Sequence, residues 1–207
     1  MASIEEALMV VDGFKLKIPK EVYKPSDDTF LLLKNLRVSK GEKVLEVGCG
    51  CGILALKAAK KAEKVVATDL NPIAVLAAKE NVKLNRLTRK VEVREGDLFK
   101  PIRKNEKFDL IIFNPPYLPT TKKDKVGGWI EKAWDGGPTG RKIIDRFLAE
   151  AKTFLKKGGR ILMVQSTLSN VEKTIKKLSR KGFQVNILDK KEFDFETLVC
   201  FEAEKVE

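Results

Sequence analysis

Asn114, Pro115, Pro116 and Tyr117 directly follow the apolar run Leu110–Phe113. Such a run is typical of a strand that is buried on both faces of a sheet, and a proline has no N–H group with which the strand could continue. Pro115 also holds the residue before it in an extended conformation. Asn114 can then offer its side-chain oxygen, together with the Pro115 carbonyl, to the hydrogens of one planar –NH2 group, while Tyr117 lies against the π face of that group. The sequence therefore predicts a site for an amide or aryl amine nitrogen.

A glycine-rich loop predicts a nucleoside site nearby. Gly48, Gly50 and Gly52 stand between a predicted strand and a predicted helix, where glycines let the backbone approach a ligand closely. Asp69 ends the next strand, 19 residues after Gly50, and its carboxylate can bind both hydroxyls of a ribose. The Gly-x-Gly-x-Gly spacing differs from the Gly-x-Gly-x-x-Gly of dinucleotide enzymes and favours a ligand without a pyrophosphate. S-adenosylmethionine fits, and an NAD-type site is the alternative.

Three more residues extend this candidate cofactor site. Glu46 lies two residues before Gly48, where a carboxylate suits an ammonium group better than a pyrophosphate. Asp97 ends the third strand of the pattern and can accept from an adenine amino group, while the Leu98 N–H reaches a ring nitrogen. Taken alone, Asp97 is more typical of a turn. With a sulfonium methyl group in this site, the acceptors at Asn114 would aim the substrate nitrogen at it, and such positioning contributes several kcal/mol, up to about 7–11.

Composition limits the classes of protein and of site. The net charge is +12 and 34% of the residues are charged, which suits either nucleic-acid binding or a solvated surface; the wide spread of the lysines favours the surface. The chain has no histidine and three cysteines, which argues against imidazole metal sites, Ser–His or Cys–His catalysis and a four-cysteine zinc site. We expect no metal, and we expect Cys49 and Cys51 to be packing residues. No apolar run is long enough for a membrane span and no signal peptide is evident, so we expect a cytoplasmic protein.

Strands and helices alternate from residue 43 to residue 113, which predicts a parallel sheet covered by helices on both faces. We expect an α/β domain with a Rossmann-like, mostly parallel seven-stranded sheet over residues 37–207, after an N-terminal extension, residues 1–36, with one helix. The predicted strands and helices of the alternating region are Lys43–Val47, Ile53–Ala62, Lys64–Thr68, Pro72–Leu84, Val91–Arg94 and Phe108–Phe113.

The flanking regions carry their own predictions. Ser26 is expected to cap a helix from Asp27 to about Leu36. After a loop at 114–139, a helix is expected to continue through Leu155 and to end at Gly158–Gly159. A strand at 160–165, a helix at 170–181 and a C-terminal antiparallel hairpin follow, with the turn of the hairpin at Asp189–Glu192.

The motifs EVGCGCG, DLNP, GDLF and NPPY together resemble a class I S-adenosylmethionine-dependent methyltransferase that acts on amino groups. VYKPSDDTFLLL (22–33) and AWDGGPTGRKIIDRFL (133–148) are similar to segments of the HemK-like protein-glutamine methyltransferases, in the archaeal and eukaryotic branch. The resemblance implies methylation of the glutamine in the Gly-Gly-Gln loop of a class I translation release factor. The candidate catalytic residues are Asn114, Pro115 and Tyr117, and the candidate cofactor residues are Thr29, Glu46, Gly48, Gly50, Asp69, Leu70, Asp97, Leu98 and Asn114.

The resemblance also implies a partner, and other functions stay open. The family implies a small zinc-binding activator subunit, for which the strand in KVEVRE (90–95) would offer a free edge. An N6-adenine DNA or RNA methyltransferase is the nearest alternative, since the same geometry suits an adenine amine. Little chain is left for a base-reading domain, however, so nucleic acid is not favoured. A non-catalytic scaffold of the same fold is a further alternative.

Overall fold

The computed structural model describes residues 6–206 and consists of a short antiparallel hairpin, a seven-stranded sheet and the helices that cover it. The strands are β1 (Glu6–Val11), β2 (Phe14–Pro19), β3 (Lys43–Val47), β4 (Lys64–Asp69), β5 (Val91–Glu95), β6 (Phe108–Phe113), β7 (Leu155–Ser166), β8 (Phe183–Glu192) and β9 (Thr197–Lys205). The helices are α1 (Asp27–Asn35), α2 (Ile53–Ala59), α3 (Pro72–Leu84), α4 (Gly128–Glu131), α5 (Lys142–Glu150) and α6 (Val171–Arg180). Over the described residues, none of these helices is long and apolar enough to cross a bilayer.

The large sheet has the strand order β5-β4-β3-β6-β7-β9-β8. The pairs from β5 to β7 are parallel, whereas β9 is antiparallel to both β7 and β8. The predicted mostly parallel sheet with a C-terminal antiparallel hairpin is therefore confirmed. The chain leaves β3 toward β5 and returns on the other side of β3 as β6, so the strand order reverses between β3 and β6. Ligands of such sheets bind at the carboxyl ends of the strands beside this reversal.

Apolar side chains cover both faces of the sheet. Along β6, Leu110 and Ile112 pack with the helices α1 to α3, while Ile111 and Phe113 pack on the opposite face with α5 and α6. On that second face the Phe113 and Phe147 rings stack with centroids 4.1 Å apart. Burial on both faces explains why the parallel strands are continuous apolar runs in the sequence.

The predicted end of the long helix at Gly158–Gly159 is wrong. The helix α5 ends at Glu150, a 3₁₀ turn spans Ala151–Phe154, and Leu155 begins β7. Leu155 pairs with Phe108 and the register then shifts, so the two glycines lie inside a strand. A Cβ at Gly159 would lie 3.0 Å from the Phe108 carbonyl oxygen, so the glycine is needed for close strand contact and not for a helix stop.

The predicted turn of the C-terminal hairpin is also wrong. Asp189–Glu192 belongs to β8, and the turn is formed by residues 193–196, closed by a hydrogen bond from Phe193 N to Glu196 O. β8 is an edge strand, and charged side chains are common on exposed edges, so the polar run resembled a turn. Ser26 does occupy the position before α1, but its side chain makes no capping hydrogen bond.

The hairpin β1–β2 was not predicted from the sequence. Two asparagines one turn apart, Asn81 in α3 and Asn85 directly after its end, bind the backbone of β2 as a neighbouring strand would. The Asn81 side chain accepts from Lys17 N at 2.8 Å and donates to Lys17 O at 3.0 Å, and Asn85 does the same at Lys15. Asn81 also donates to Cys51 O at 3.0 Å, so the hairpin is tied to the glycine loop.

Candidate active site

A cavity of about 470 Å³ opens at the carboxyl ends of the parallel strands, beside the reversal of strand order. This volume is in the range of small-molecule sites. Pro115 and Tyr117 are not among the residues that line it, although they follow directly on Asn114. Every residue predicted to contact the cofactor lines this cavity: Thr29, Glu46, Gly48, Gly50, Asp69, Leu70, Asp97, Leu98 and Asn114.

The glycine loop brings β3 close to the end of β6. Gly48 has a φ of +69° and Gly50 a φ of +52°, which are left-handed conformations that side chains disfavour. A Cβ at Gly48 would lie 4.0 Å from the Asn114 carbonyl oxygen, so the loop passes directly beside Asn114. The loop therefore joins the candidate cofactor residues to the candidate catalytic asparagine.

Asp69 is held by backbone N–H groups from both sides. Its Oδ2 accepts from Gly50 N at 2.8 Å and its Oδ1 accepts from Asn71 N at 2.8 Å. Burial raises the pKa of Asp69, and the backbone hydrogen bonds from Asn71 and Gly50 lower it in part. Because each carboxylate oxygen can accept more than one hydrogen bond, the oriented group retains capacity for ligand hydroxyls.

Glu46 is a buried acid at the base of the cavity. It is 2% exposed, and its Oε2 accepts from Ala55 N in α2 at 2.8 Å. Burial raises the pKa of Glu46 well above its usual value, with a further contribution from Asp69. A buried carboxyl group of this kind gains from a cationic ligand that would compensate its charge.

Asp97 is paired with cations. Arg146 Nη2 lies 2.6 Å from Asp97 Oδ2, Lys100 Nζ lies 3.3 Å from the same oxygen, and the hydrogen bond from Arg146 lowers the pKa of Asp97. Arg146 lines the cavity as well. Leu98, the next residue, has a φ of +53°, and its carbonyl accepts from Thr68 Oγ1 at 3.4 Å. Sequence reasoning did not identify Arg146, because it comes from a helix far along the chain.

Asn114 carries an unsatisfied acceptor. Among the described residues, its Oδ1 is one of three buried side-chain polar atoms without a hydrogen-bond partner; the others are Arg141 Nε and Gln165 Oε1. A buried oxygen without a donor costs free energy, and such atoms are uncommon in folded proteins. Asn114 Oδ1 is the one of the three that belongs to a residue of the cavity wall.

Comparisons with known proteins identify the family. The family model described as "Methyltransferase small domain" matches residues 24–133. A Methanocaldococcus jannaschii protein to which protein N5-glutamine methyltransferase activity is ascribed is 45% identical over 197 residues, which are 95% of this chain and 98% of that protein. The human methyltransferase HEMK2 is 34% identical over 174 residues, 79% of this chain and 80% of its own length. This chain belongs to the HemK-like protein-glutamine methyltransferases.

One solved structure agrees with this HemK-like assignment. The E. cuniculi Mtq2–Trm112 complex, described as responsible for methylating the translation termination factor eRF1, matches with a TM-score of 0.64 and 25% identity. The match covers 89% of this chain and 99% of that chain. The structural similarity therefore extends over nearly the whole of the matched chain in that complex.

Sequence reasoning missed Asp28, which does not line the cavity but binds Tyr117 of the Asn-Pro-Pro-Tyr segment. Its carboxylate is 4% exposed and accepts from the hydroxyls of Tyr23, at 3.2 Å, and Tyr117, at 3.2 Å. It also accepts from Thr29 N at 2.5 Å and Thr29 Oγ1 at 3.1 Å. Burial and the Asp28 charge raise the pKa of both tyrosines. In the sequence, Asp28 is only the second acid of SDDT (26–29). Acids are common in the first turn of a helix, where they are usually exposed to solvent, so the sequence gives no sign that this one is buried.

The cysteines of the glycine loop are packed in the HemK-like core. Cys49 and Cys51 are 4% and 3% exposed, and burial raises the pKa of both thiols, that of Cys51 to about 12. Among the described residues, no group of three or more His, Cys, Asp or Glu side chains is arranged to hold a metal ion.

Proposed function

We propose that this protein transfers the methyl group of S-adenosylmethionine to the side-chain amide nitrogen of the glutamine in the Gly-Gly-Gln motif of a class I translation release factor. The observation that carries the proposal is the buried, unpartnered Oδ1 of Asn114 at the wall of the cavity. A carboxamide –NH2 group supplies the donor that this oxygen lacks. The family supports the same chemistry, since the Clostridium acetobutylicum release factor glutamine methyltransferase is 31% identical over 197 residues.

The residues of the cavity fit the cofactor. Asp69 offers an oriented carboxylate to ribose hydroxyls, and Glu46 offers a buried acid to the ammonium group of the methionine part. Gly48 and Gly50 leave the space that a side chain would occupy. Asp97 and Leu98 are the proposed contacts of the adenine, where Asp97 would share its carboxylate between the ligand and Arg146.

The proposed role of Asn114 is to orient the substrate. Its Oδ1 and the Pro115 carbonyl accept the two amide hydrogens, which turns the nitrogen lone pair toward the reacting carbon. S-adenosylmethionine supplies the methyl group: the carbon–sulfur bond breaks as the carbon–nitrogen bond forms, and the cationic nitrogen then loses a proton to solvent. Orientation of this kind replaces a dedicated base, because a cationic amide nitrogen is strongly acidic. The Tyr117 ring, held by Asp28, would pack against the amide plane.

A labelling experiment tests the proposal. Radiolabelled S-adenosylmethionine is offered with a class I release factor, with the same factor carrying Gln→Ala in its Gly-Gly-Gln motif, and with an adenine-containing oligonucleotide. We expect label on the intact release factor alone. If only the oligonucleotide were labelled, the protein would be an adenine methyltransferase and the proposal would be wrong. If none of the three were labelled and no cofactor binding were detected, the result would support a non-catalytic scaffold.

We also propose that a small zinc-binding activator subunit adds a strand to β5, in the cytoplasm where translation factors act. β5 is an edge strand of the large sheet, and the similar Mtq2 chain was solved as a complex with Trm112. Edge strands expose backbone groups that a partner strand can pair. We expect the isolated chain to be weakly active and to gain activity with such a subunit. An isolated chain that is monodisperse and fully active would contradict this part of the proposal.

A further inference from the structure

The segment 121–131, which we call the tip segment, forms part of one wall of the cofactor cavity. Three of its side chains line the cavity: Lys125, Trp129 and Glu131. The chain on either side is fastened to the protein, since Leu118 N donates to Trp134 O at 3.1 Å and Gly136 N donates to Leu118 O at 2.9 Å. The tip segment therefore projects from a fixed base and covers part of the cavity.

One side chain from outside fastens the tip segment. Glu21 Oε2 accepts from Trp129 N at 2.8 Å and from Ile130 N at 3.3 Å. In the part of the chain that the structure describes, the other hydrogen bonds and ion pairs of the tip segment stay within it or go to the residues directly after it, such as Gly127 N to Glu131 and Lys125 to Glu131. Between its two ends, the tip segment is thus held to the rest of the molecule by the hydrogen bonds to Glu21.

The backbone around Gly128 is shaped for this contact. Gly128 has a φ of +77°, and a Cβ there would lie 2.9 Å from Glu21 Oε2. The neighbouring Gly127 has nearly the same φ, +74°, but its Cβ would meet nothing within 4 Å. A side chain at position 128 would therefore push against the Glu21 carboxylate, whereas one at position 127 would carry only the backbone strain.

Glu21 is also linked to the ribose end of the candidate cofactor site. Its backbone oxygen accepts from Asn71 Nδ2 at 2.9 Å, and Asn71 N donates to Asp69 Oδ1 at 2.8 Å. Asp69 in turn accepts from Gly50 N. A continuous series of hydrogen bonds thus runs from the glycine loop through Asp69 and Asn71 to Glu21 and on to the tip segment.

From these contacts we infer that Glu21 is a positioning residue that fastens the tip segment over bound S-adenosylmethionine. The inference rests on the cofactor of the proposed function, but it does not depend on the identity of the methylated substrate. Once the cofactor contacts Asp69, the hydrogen-bond series favours the position of Glu21 in which the tip segment is docked. The docked segment retains the cofactor while the protein substrate binds and leaves.

Tip docking can be measured without any methylation. Trypsin cleaves after Lys123 and Lys125, which are exposed residues of the tip segment. We expect saturating S-adenosylmethionine to slow this cleavage in the wild type, and to have little effect in Glu21→Ala. In Glu21→Ala, the dissociation rate of radiolabelled S-adenosylmethionine should rise by about tenfold, the size expected when a hydrogen bond to a charged acceptor is lost. Glu21→Gln keeps a side-chain oxygen acceptor and should restore most of both effects.

Matched variants separate the fastening from general destabilisation. Gly128→Ala should reproduce the Glu21→Ala phenotype, and Gly127→Ala should not, although both place an alanine at a positive φ. Glu63→Ala removes an exposed carboxylate away from the cavity and should behave as the wild type. The inference would be overturned if the cofactor slowed trypsin cleavage equally in Glu21→Ala and the wild type and left both at the same rate. It would also be overturned if Gly127→Ala and Gly128→Ala were equally affected. A wild type that binds no S-adenosylmethionine would instead refute the proposed function.

Discussion

The hydroxyl of Tyr117 donates a hydrogen bond to Asp28 Oδ2 at 3.2 Å, although the two residues are 89 positions apart in the chain. Asp28 belongs to the first turn of α1, and Tyr117 follows the strand β6 that carries Asn114 to the cavity. The bond therefore joins the N-terminal helix to the Asn-Pro-Pro-Tyr segment. Because Asp28 is 4% exposed, each donor that it loses leaves a buried charge less well compensated.

Tyr117→Phe keeps the ring and removes this bond. We expect kcat to fall by about tenfold, corresponding to roughly 1.4 kcal/mol for a lost hydrogen bond to a charged group, with the affinity for S-adenosylmethionine unchanged. Tyr23→Phe is the matched control, because it removes the other phenol from Asp28 without touching the residues next to Asn114. Steady-state kinetics with calorimetric cofactor titration measures both quantities. Equal losses of kcat in the two variants would mean that Asp28 does not act through Tyr117.

Asn114→Ala removes the unpartnered oxygen. We expect the dissociation constant of S-adenosylmethionine to stay near that of the wild type and kcat to fall by about 10²–10³-fold, the range found when a single oriented hydrogen-bonding group is removed from an active site. Calorimetry measures the dissociation constant of the cofactor, and single-turnover labelling measures the rate of methyl transfer. Loss of cofactor binding without a specific loss of the chemical step would show that Asn114 holds the cofactor and not the substrate.

The sequence predicted the elements whose signals are local. Pro72 marked the first residue of α3, and the apolar run 108–113 matched β6 in full, because proline and buried parallel strands have strong local signatures. The same locality explains the site. Asp69 is the last residue of β4, and Gly48, Asp97 and Asn114 come within two residues after the ends of β3, β5 and β6. Parallel strands bring their carboxyl ends to one edge of the sheet.

The features that escaped prediction depend on contacts between distant parts of the chain. The hairpin β1–β2 is held by Asn81 of α3 and by Asn85 directly after that helix, and nothing in residues 6–19 indicates these partners. Glu21 and Asp28 are acids in a segment of mixed polarity, and their roles become visible only when Trp129 and Tyr117 are placed beside them. Leu155 looks like the end of an apolar helical stripe until its pairing with Phe108 is known.

Glu46 should make the stability of the cofactor-free protein depend on pH. Burial raises the pKa of Glu46 well above 4.5, so above that pH the native state retains a proton that the unfolded chain has lost. The native state then binds more protons than the unfolded state, and the free energy of unfolding falls as the pH rises through the native pKa. Glu46→Gln cannot ionise but can still accept from Ala55 N, so it should lack this fall. Urea unfolding of both proteins from about pH 5 to 8 measures the difference. A difference between wild type and variant that stays constant over this range would contradict the prediction.

Gly140 packs against the backbone of the Asn-Pro-Pro-Tyr segment, so Gly140→Ala should be strongly destabilising. A Cβ at Gly140 would overlap the Tyr117 carbonyl oxygen and lie 2.8 Å from Ser169 Cβ, at a φ of +67°. We expect a loss of about 3 kcal/mol or more in the free energy of unfolding, from overpacking added to backbone strain, together with a lower kcat as Tyr117 moves. Gly41→Ala is the control, because its φ is +88° and no atom lies within 4 Å of its Cβ. That variant should lose only about 1–2 kcal/mol and keep its kcat. If urea unfolding gave the same loss for both variants, the contact between Gly140 and Tyr117 would have no part in holding the catalytic segment.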